Sequence, residues 1–252
     1  MFKIDLHVHT SVTPHAYSTV EENVARALKK GMEVLALTNH GPALPDSPHW
    51  WSLKNLRVIP AEVENLRILR GVEANVVDGD GNIDLNQSIY RGLDIVLAGF
   101  HPVPGYPVEP DREKNTLALI RLMERQYVDI IVHPGNPQFP IDPERVVACA
   151  KETGVALEIN NASLVGVRKG SEKNCAEILR LCKENGNMIS LGSDAHISWD
   201  IGNFTHAEEL LREAGFPEER ILNTSKELLY GFLADRKKRK PAVFENRHYF
   251  WE

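Results

Sequence analysis

Short apolar runs alternate with amphipathic stretches along nearly the whole chain. Phe2–Val8, Val34–Leu37, Leu66–Val72, Leu93–Ala98, Val128–Val132, Val155–Ile159 and Met188–Leu191 have the length and β-branched content of buried strands. Between them the period lengthens to that of helices. Val20, Val24 and Leu28 repeat at i, i+4 and i+8 after a Ser18-Thr19-Val20-Glu21 capping box, and Gly31 stops the turn. Further helices are expected over Asn115–Arg125, from Asp142-Pro143 to Gly154, over Ser171–Asn185, over Thr205–Ala214 and over Ser225–Asp235. The Asp-Pro pair supplies an N-cap followed by a preset first helical residue. Strands that alternate with helices pair in parallel through right-handed crossovers. Seven such units in 252 residues predict an α/β fold in one domain, a closed, TIM-like (β/α) barrel with its active site at the C-terminal rim of the strands. A doubly wound open sheet is the alternative. Its dinucleotide-binding form requires a Gly-rich turn after the first strand, and Leu6-His7-Val8-His9 is not one.

That pattern places the histidines. His7 and His9 end the first strand, His40 follows the second, His101 the fourth and His133 the fifth. Glu73 ends the third strand, and Asp194 and His196 follow the seventh. The sixth carries Glu158 and Asn160 instead. In a barrel these strand ends converge on one rim. So many imidazoles and acids in one cavity would be costly to desolvate without a cation. In His7-Val8-His9 both imidazoles point to one side of the strand while Val8 packs outward. With His15, the candidate ligands are His7, His9, His15, His40, Glu73, His101, His133, Asp194 and His196. Nine ligands with Glu73 bridging suffice for three divalent ions. A histidine-rich set with carboxylates and no thiolate suits Zn, Mn or Fe, and not Ca.

These motifs resemble those of the PHP (polymerase and histidinol phosphatase) family. The resemblance runs through Asp5-Leu6-His7-Val8-His9-Thr10, Leu37-Thr38-Asn39-His40-Gly41, Gly71-Val72-Glu73, His101, His133-Pro134-Gly135-Asn136-Pro137 and Gly192-Ser193-Asp194-Ala195-His196. His15-Ala16-Tyr17-Ser18, Glu158-Ile159-Asn160-Asn161 and Arg168-Lys169-Gly170-Ser171 are similar to the stand-alone YcdX-type phosphatases. The resemblance implies a distorted seven-stranded barrel with three zinc ions and phosphoesterase activity. It also implies one ion on His7, His9, Glu73 and Asp194, a second on His15, His40 and His196, and a third on Glu73, His101 and His133. The family usually has Asp where this chain has Asn39, which is expected to lie outside the ligand set.

Arg168 and Lys169 follow the sixth strand, and Arg168 is the candidate phosphate clamp because a planar guanidinium fork matches two phosphate oxygens. The substrate is therefore expected to be a small phosphate monoester, attacked by a metal-activated water. Competing readings are an amidohydrolase, a PHP-type nuclease and a non-catalytic metal-binding module. The first normally wants a lysine at a middle strand end, and none is present. The net charge of −6 disfavours nucleic acid, whose binding relies on basic surface. His49, Trp50 and Trp51 are read as a packed loop, with a lid or substrate wall as the alternative. The basic run Arg236–Lys240 is read as a solvated cap on the last helix. No apolar run reaches the ~18 residues of a membrane span, and Met1–Asp5 lacks a signal-peptide pattern. Cys149, Cys175 and Cys182 are too few and odd in number for a disulfide scaffold and are read as apolar filler. A cytoplasmic enzyme is expected, with homo-oligomerisation open.

Overall fold

The structure, a computed structural model, describes residues 2–106, 108 and 111–242. Its strands are β1 (Ile4–Val8), β2 (Val34–Leu37), β3 (Glu62–Val63), β4 (Leu66–Asn75), β5 (Ile95–Gly99), β6 (Ile130–Ile131), β7 (Ala156–Asn160) and β8 (Ile189–Gly192). Its helices are α1 (Val20–Lys29), α2 (Trp51–Lys54), α3 (Gln87–Tyr90), α4 (Arg112–Glu124), α5 (Pro143–Thr153), α6 (Asn161–Leu164), α7 (Ser171–Asn185), α8 (Thr205–Ala214) and α9 (Lys226–Arg239). Seven strands run parallel in the order β1-β2-β4-β5-β6-β7-β8, and the short β3 forms an antiparallel pair with β4. The two ends of the sheet meet where Val8 bridges Ala195 in parallel. The His9 amide donates to the Ala195 carbonyl at 2.9 Å, and the Asp194 amide donates to the His7 carbonyl at 3.0 Å. The result is a nearly closed, distorted (β/α)7 barrel, as the alternation predicts.

Two apolar layers hold it. Ile4, Leu6, Val34, Ala36, Leu69, Ile95, Leu97, Ile130, Val132 and Ala156 form one buried cluster with Leu229 of α9. The opposite strand faces, including Leu35, Leu37, Ile68, Val72 and Val96, belong to a larger cluster shared with the surrounding helices. Period-two alternation thus divides each strand between barrel interior and helix layer.

Several helix ends shift from their expected places for identifiable reasons. The N-cap of α1 is Thr19, which makes the capping box with Glu22. Ser18 is engaged elsewhere, its hydroxyl accepting from the Ser198 amide at 3.0 Å. Helix α4 begins before Asn115 because Asp111 caps it, accepting from the Lys114 amide at 2.9 Å. Asn115 instead lies buried, accepting from the Tyr106 hydroxyl at 2.7 Å. The Asp142-Pro143 start, the Gly154 stop and the spans of α7 and α8 fall where expected.

The basic run is corrected. Arg236 is 1% exposed and is not a solvated cap. Its guanidinium donates to Gln126 Oε1 at 2.6 Å, to the Thr153 carbonyl at 2.8 Å and to the Val128 carbonyl at 2.5 Å. Asp129 lies 3.7 Å from its Nε and also pairs with Lys240 at 2.7 Å. These partners precede β6 and β7, so the end of α9 is fastened to the N-terminal end of the barrel, opposite the histidines. All three cysteines are buried and unpaired. Among the described residues no helix is long and apolar enough to cross a membrane.

Candidate active site

The β1–β2 register shifts between Asp5 and Val8. That irregularity changes which side chains face inward. Ile4 and Leu6 join the interior cluster, whereas beyond the shift Val8 joins the outer layer and His7 and His9 turn to the rim. Both histidines are fully buried. On β4 the inward positions are Leu69, Gly71 and then Glu73, so an apolar floor gives way to a carboxylate one layer higher. Ala156 is followed in the same way by Glu158 and Asn160 on β7.

Glu73 sits at the centre. Its Oε2 lies 2.9 Å from His40 Nδ1, 3.2 Å from His7 Nε2 and 3.3 Å from His9 Nε2. Its Oε1 lies 2.8 Å from His133 Nε2 and 3.1 Å from His101 Nε2. Asp194 Oδ1 is 3.3 Å from His9 Nε2 and 3.6 Å from His7 Nε2. Three sets of side chains converge closely enough to share an ion: His7, His9 and Asp194; His9, His40 and His196; and His40, Glu73 and His101. His133 and His15 lie outside these sets. The His133 ring is 5.0 Å from that of His101, and the His15 ring is 4.9 Å from that of His196 and 5.2 Å from that of His40. His133 and Asp194 both adopt positive φ, 35° and 56°. Non-glycine residues rarely do so, and such backbone strain gathers at functional sites.

The donor set fits a cation. His7 Nε2, His9 Nε2, His40 Nδ1, His101 Nε2 and Glu73 Oε2 are buried and make no hydrogen bond. Buried polar atoms normally find a partner, and a group of orphans facing one another is what a metal would satisfy. The charge states of the carboxylates and of three imidazoles agree, whereas at His7 and His9 burial is outweighed by the facing carboxylates, Glu73 and Asp194 among them, which hold both rings above their ordinary value. Burial alone would raise Glu73 and Asp194, but the facing imidazoles, with Arg168 beside Asp194, hold both carboxyls well below their usual range. Burial pushes His40 well down. Burial, aided by Arg168, lowers His133 to about 4, and burial, aided by His9, lowers His196 to about 4. Ionised carboxylates and neutral imidazoles are the forms that ligate metal.

A ring of further contacts aims these side chains. Glu158 accepts from His7 Nδ1 at 2.7 Å through one oxygen and from the His133 amide at 2.8 Å through the other. A Cβ on Gly192 would overlap Glu158 Oε1, so glycine is required for this approach. Asp46 accepts from His15 Nδ1 at 2.6 Å. Asp84, fully buried and pushed up to about 6 by burial, accepts from the Ala43 amide at 2.8 Å and the Asn75 amide at 2.7 Å, joining the loops that follow β2 and β4. Asn39 faces away from the histidines. Its Oδ1 accepts from the Thr10 amide at 2.8 Å and the Thr13 hydroxyl at 3.1 Å, which pins the loop leading to His15. Sequence position alone flagged Glu158 as a strand-end acid, and nothing marked Asp46 or Asp84.

A cavity of about 700 Å³ opens above this cluster, lined in part by His15, His40, His101, Arg168, Asp194 and His196. Arg168 Nη1 donates to Asp194 Oδ2 at 3.0 Å and to Ser163 Oγ at 3.1 Å. Lys169 is exposed and does not line the cavity, nor do His49, Trp50 and Trp51. The two indoles meet edge to face at 6.0 Å, with Trp51 66% exposed.

Residues 5–213 match the PHP domain. The chain belongs to the PHP family. A probable phosphatase of Thermoanaerobacter sp. (strain X514) is 46% identical over 236 residues, 94% of this chain and 96% of that protein. A probable phosphatase of Pectobacterium atrosepticum is 42% identical over 245 residues, covering 97% and 98%. The enzyme class of these PHP relatives agrees with the expected hydrolase acting on phosphate esters. Among solved structures, histidinol phosphate phosphatase from Lactococcus lactis, in complex with zinc, L-histidinol and phosphate, superposes with a TM-score of 0.59 at 18% identity over 85% of this chain and 94% of that one. The putative histidinol phosphatase of Listeria monocytogenes gives 0.63 at 19% identity over 81% and 99%. At such identities these two support the PHP fold alone.

Proposed function

We propose that this PHP chain is a metal-dependent phosphatase that hydrolyses a small phosphate monoester at a trinuclear centre. The observation that carries the proposal is Glu73, a buried carboxylate whose two oxygens face different imidazoles, amid nitrogen atoms with no other partner. His7, His9, Glu73 and Asp194 would hold one ion, His15, His40 and His196 a second, and Glu73, His101 and His133 a third. Zinc suits the set best, with manganese or iron as alternatives. When bound, such ions supply a water of lowered pKa and neutralise the oxygens of the phosphoryl group. Fully loaded protein is expected to carry more than two equivalents of divalent metal by elemental analysis. One equivalent would reject the trinuclear centre.

The residues of the chain supply aim and charge. Glu158 and Asp46 fix the rings of His7 and His15. Arg168 is anchored through Nη1 alone, leaving Nη2 and Nε to meet two phosphate oxygens. Arg168→Ala should retain metal and lower kcat/KM by roughly ten- to a thousandfold, at about 1.4 kcal/mol per tenfold. Arg168→Lys should recover only part, since a point charge replaces a fork. Unchanged kinetics and unchanged inhibition by inorganic phosphate would remove Arg168 from substrate binding. The activity itself is tested with metal-loaded protein on sugar phosphates, nucleotides, histidinol phosphate and short oligonucleotides. Release of phosphate from none of them would overturn the proposal.

A further inference from the structure

The cavity is far larger than a phosphoryl group, and its outer lining differs from its floor. Leu44 and Pro45 line it from the loop after β2, and Val165 and Val167 line it from the loop after α6. Val165 is 52% exposed and Val167 is 68% exposed. A single exposed valine is ordinary. Here two flank Gly166, whose φ is 96°, and share a cavity with a second apolar pair.

Both loops are held in shape. The amides of Val165 and Val167 donate to one acceptor, the Ala162 carbonyl, each at 3.3 Å. Beyond them the Arg168 carbonyl accepts from the Ser171 hydroxyl at 2.7 Å. On the other loop, Ser47 closes a turn by donating from its amide to the Leu44 carbonyl at 2.9 Å and from its hydroxyl to the Gly41 carbonyl at 2.8 Å. Apolar walls that need no ordering on binding can contribute their full burial to affinity.

The charges restrict what those walls can accept. Among the described lining residues Arg168 is the only arginine or lysine, and one of its nitrogens is already committed to Asp194. The remaining charged groups of the outer lining are the carboxylates of Asp46 and Asp200. At this outer lining, away from the ions proposed for the floor, a second anionic group on the substrate would meet Asp200 and Asp46, the latter already accepting from His15, with no further lysine or arginine among the described lining residues to receive it.

We propose that Leu44, Pro45, Val165 and Val167 form a leaving-group pocket selecting phosphate monoesters of a bulky alcohol with an apolar face and no second anionic group. This rests on the phosphatase assignment above. The pocket binds the part of the ester that departs, so it acts on discrimination among esters and not on the phosphoryl group.

Metal-loaded protein is assayed on 2-phenylethyl phosphate, glycerol 3-phosphate and 3-phosphoglycerate. The expected order of kcat/KM is the order given, spanning about a hundredfold, the scale on which apolar pockets discriminate. Val167→Ser should lower kcat/KM for 2-phenylethyl phosphate by about tenfold more than for glycerol 3-phosphate, since a methylene-sized change in an apolar pocket is worth that much. Asp200→Lys should raise the relative rate on 3-phosphoglycerate. Similar rates on all three esters, or equal losses on the first two in Val167→Ser, would overturn the pocket and leave the phosphatase assignment standing. Turnover of none, with no binding of inorganic phosphate, would overturn the phosphatase assignment and the pocket with it.

Discussion

Glu73→Gln is expected to abolish most turnover, by well over a hundredfold, and to cost more than one equivalent of metal. The size follows from position. Replacing a partner that merely orients a ligand costs about 10–100-fold in affinity or activity. Glu73 is itself a candidate ligand, and its two oxygens lie within 3.3 Å of five imidazoles. Glutamine keeps the volume and removes the charge. On the trinuclear proposal two cations would then lie close together with no anion between them, so both should bind more weakly. His101→Ala is the matched control. It opens one coordination position at the cavity edge and leaves the central charge in place, so it should lose at most one equivalent. Elemental analysis and kcat/KM on both variants check the contrast, and small, equal losses would rule out the bridge.

Arg236→Ala should be the most damaging substitution far from the histidines. Removing one partner of a buried ion pair typically costs about 3–5 kcal/mol, because the other charge is left uncompensated. Here Asp129 is fully buried, the Val128 carbonyl loses its guanidinium donor, and the Thr153 carbonyl is left with Arg239 at 3.2 Å. Lys240, still 2.7 Å from Asp129, offsets part of the loss. For a domain of this size the melting temperature should fall by roughly 6–20 °C. The candidate metal ligands lie at the other end of the barrel, so metal content at low temperature should be retained. Thermal and urea unfolding measure the loss, and a shift below about 0.5 kcal/mol would return Arg236 to the surface class of substitutions.

Most of the architecture was legible because burial in a parallel sheet makes most strands short apolar runs, and α1, α5, α7 and α8 each end at or just before a glycine. The candidate site was legible for a related reason. In a barrel every strand end opens on one rim, so His7, His40, Glu73, His101, His133 and Asp194 could be brought together from strand position alone. What stayed hidden was pairing between segments distant in sequence. Arg236 sits in a run of five basic residues that reads as solvated, and only the carbonyls before β6 and β7 show why it turns inward. Asp46 lies in a Pro-rich loop with no periodicity, and its contact with His15 depends on how that loop folds back. The α1 cap slipped by one residue because either Ser18 or Thr19 suits the motif locally, and a partner at Ser198 decides between them.

The seam between the first and last strands has a consequence for how the protein assembles. His7 and His9 come from the start of the chain, while Asp194 and His196 come from nearly two hundred residues later. They meet only where Val8 bridges Ala195. Pairings this remote in sequence are entropically late events, since the intervening loop must be closed before they are rewarded. A growing chain therefore holds half of this histidine cluster before the other half is made, and a refolding chain holds it before the two halves meet. On the trinuclear proposal, metal capture becomes the closing step of folding, and an ion that reaches the early half finds two neighbouring imidazoles and no carboxylate from the far end to complete its shell.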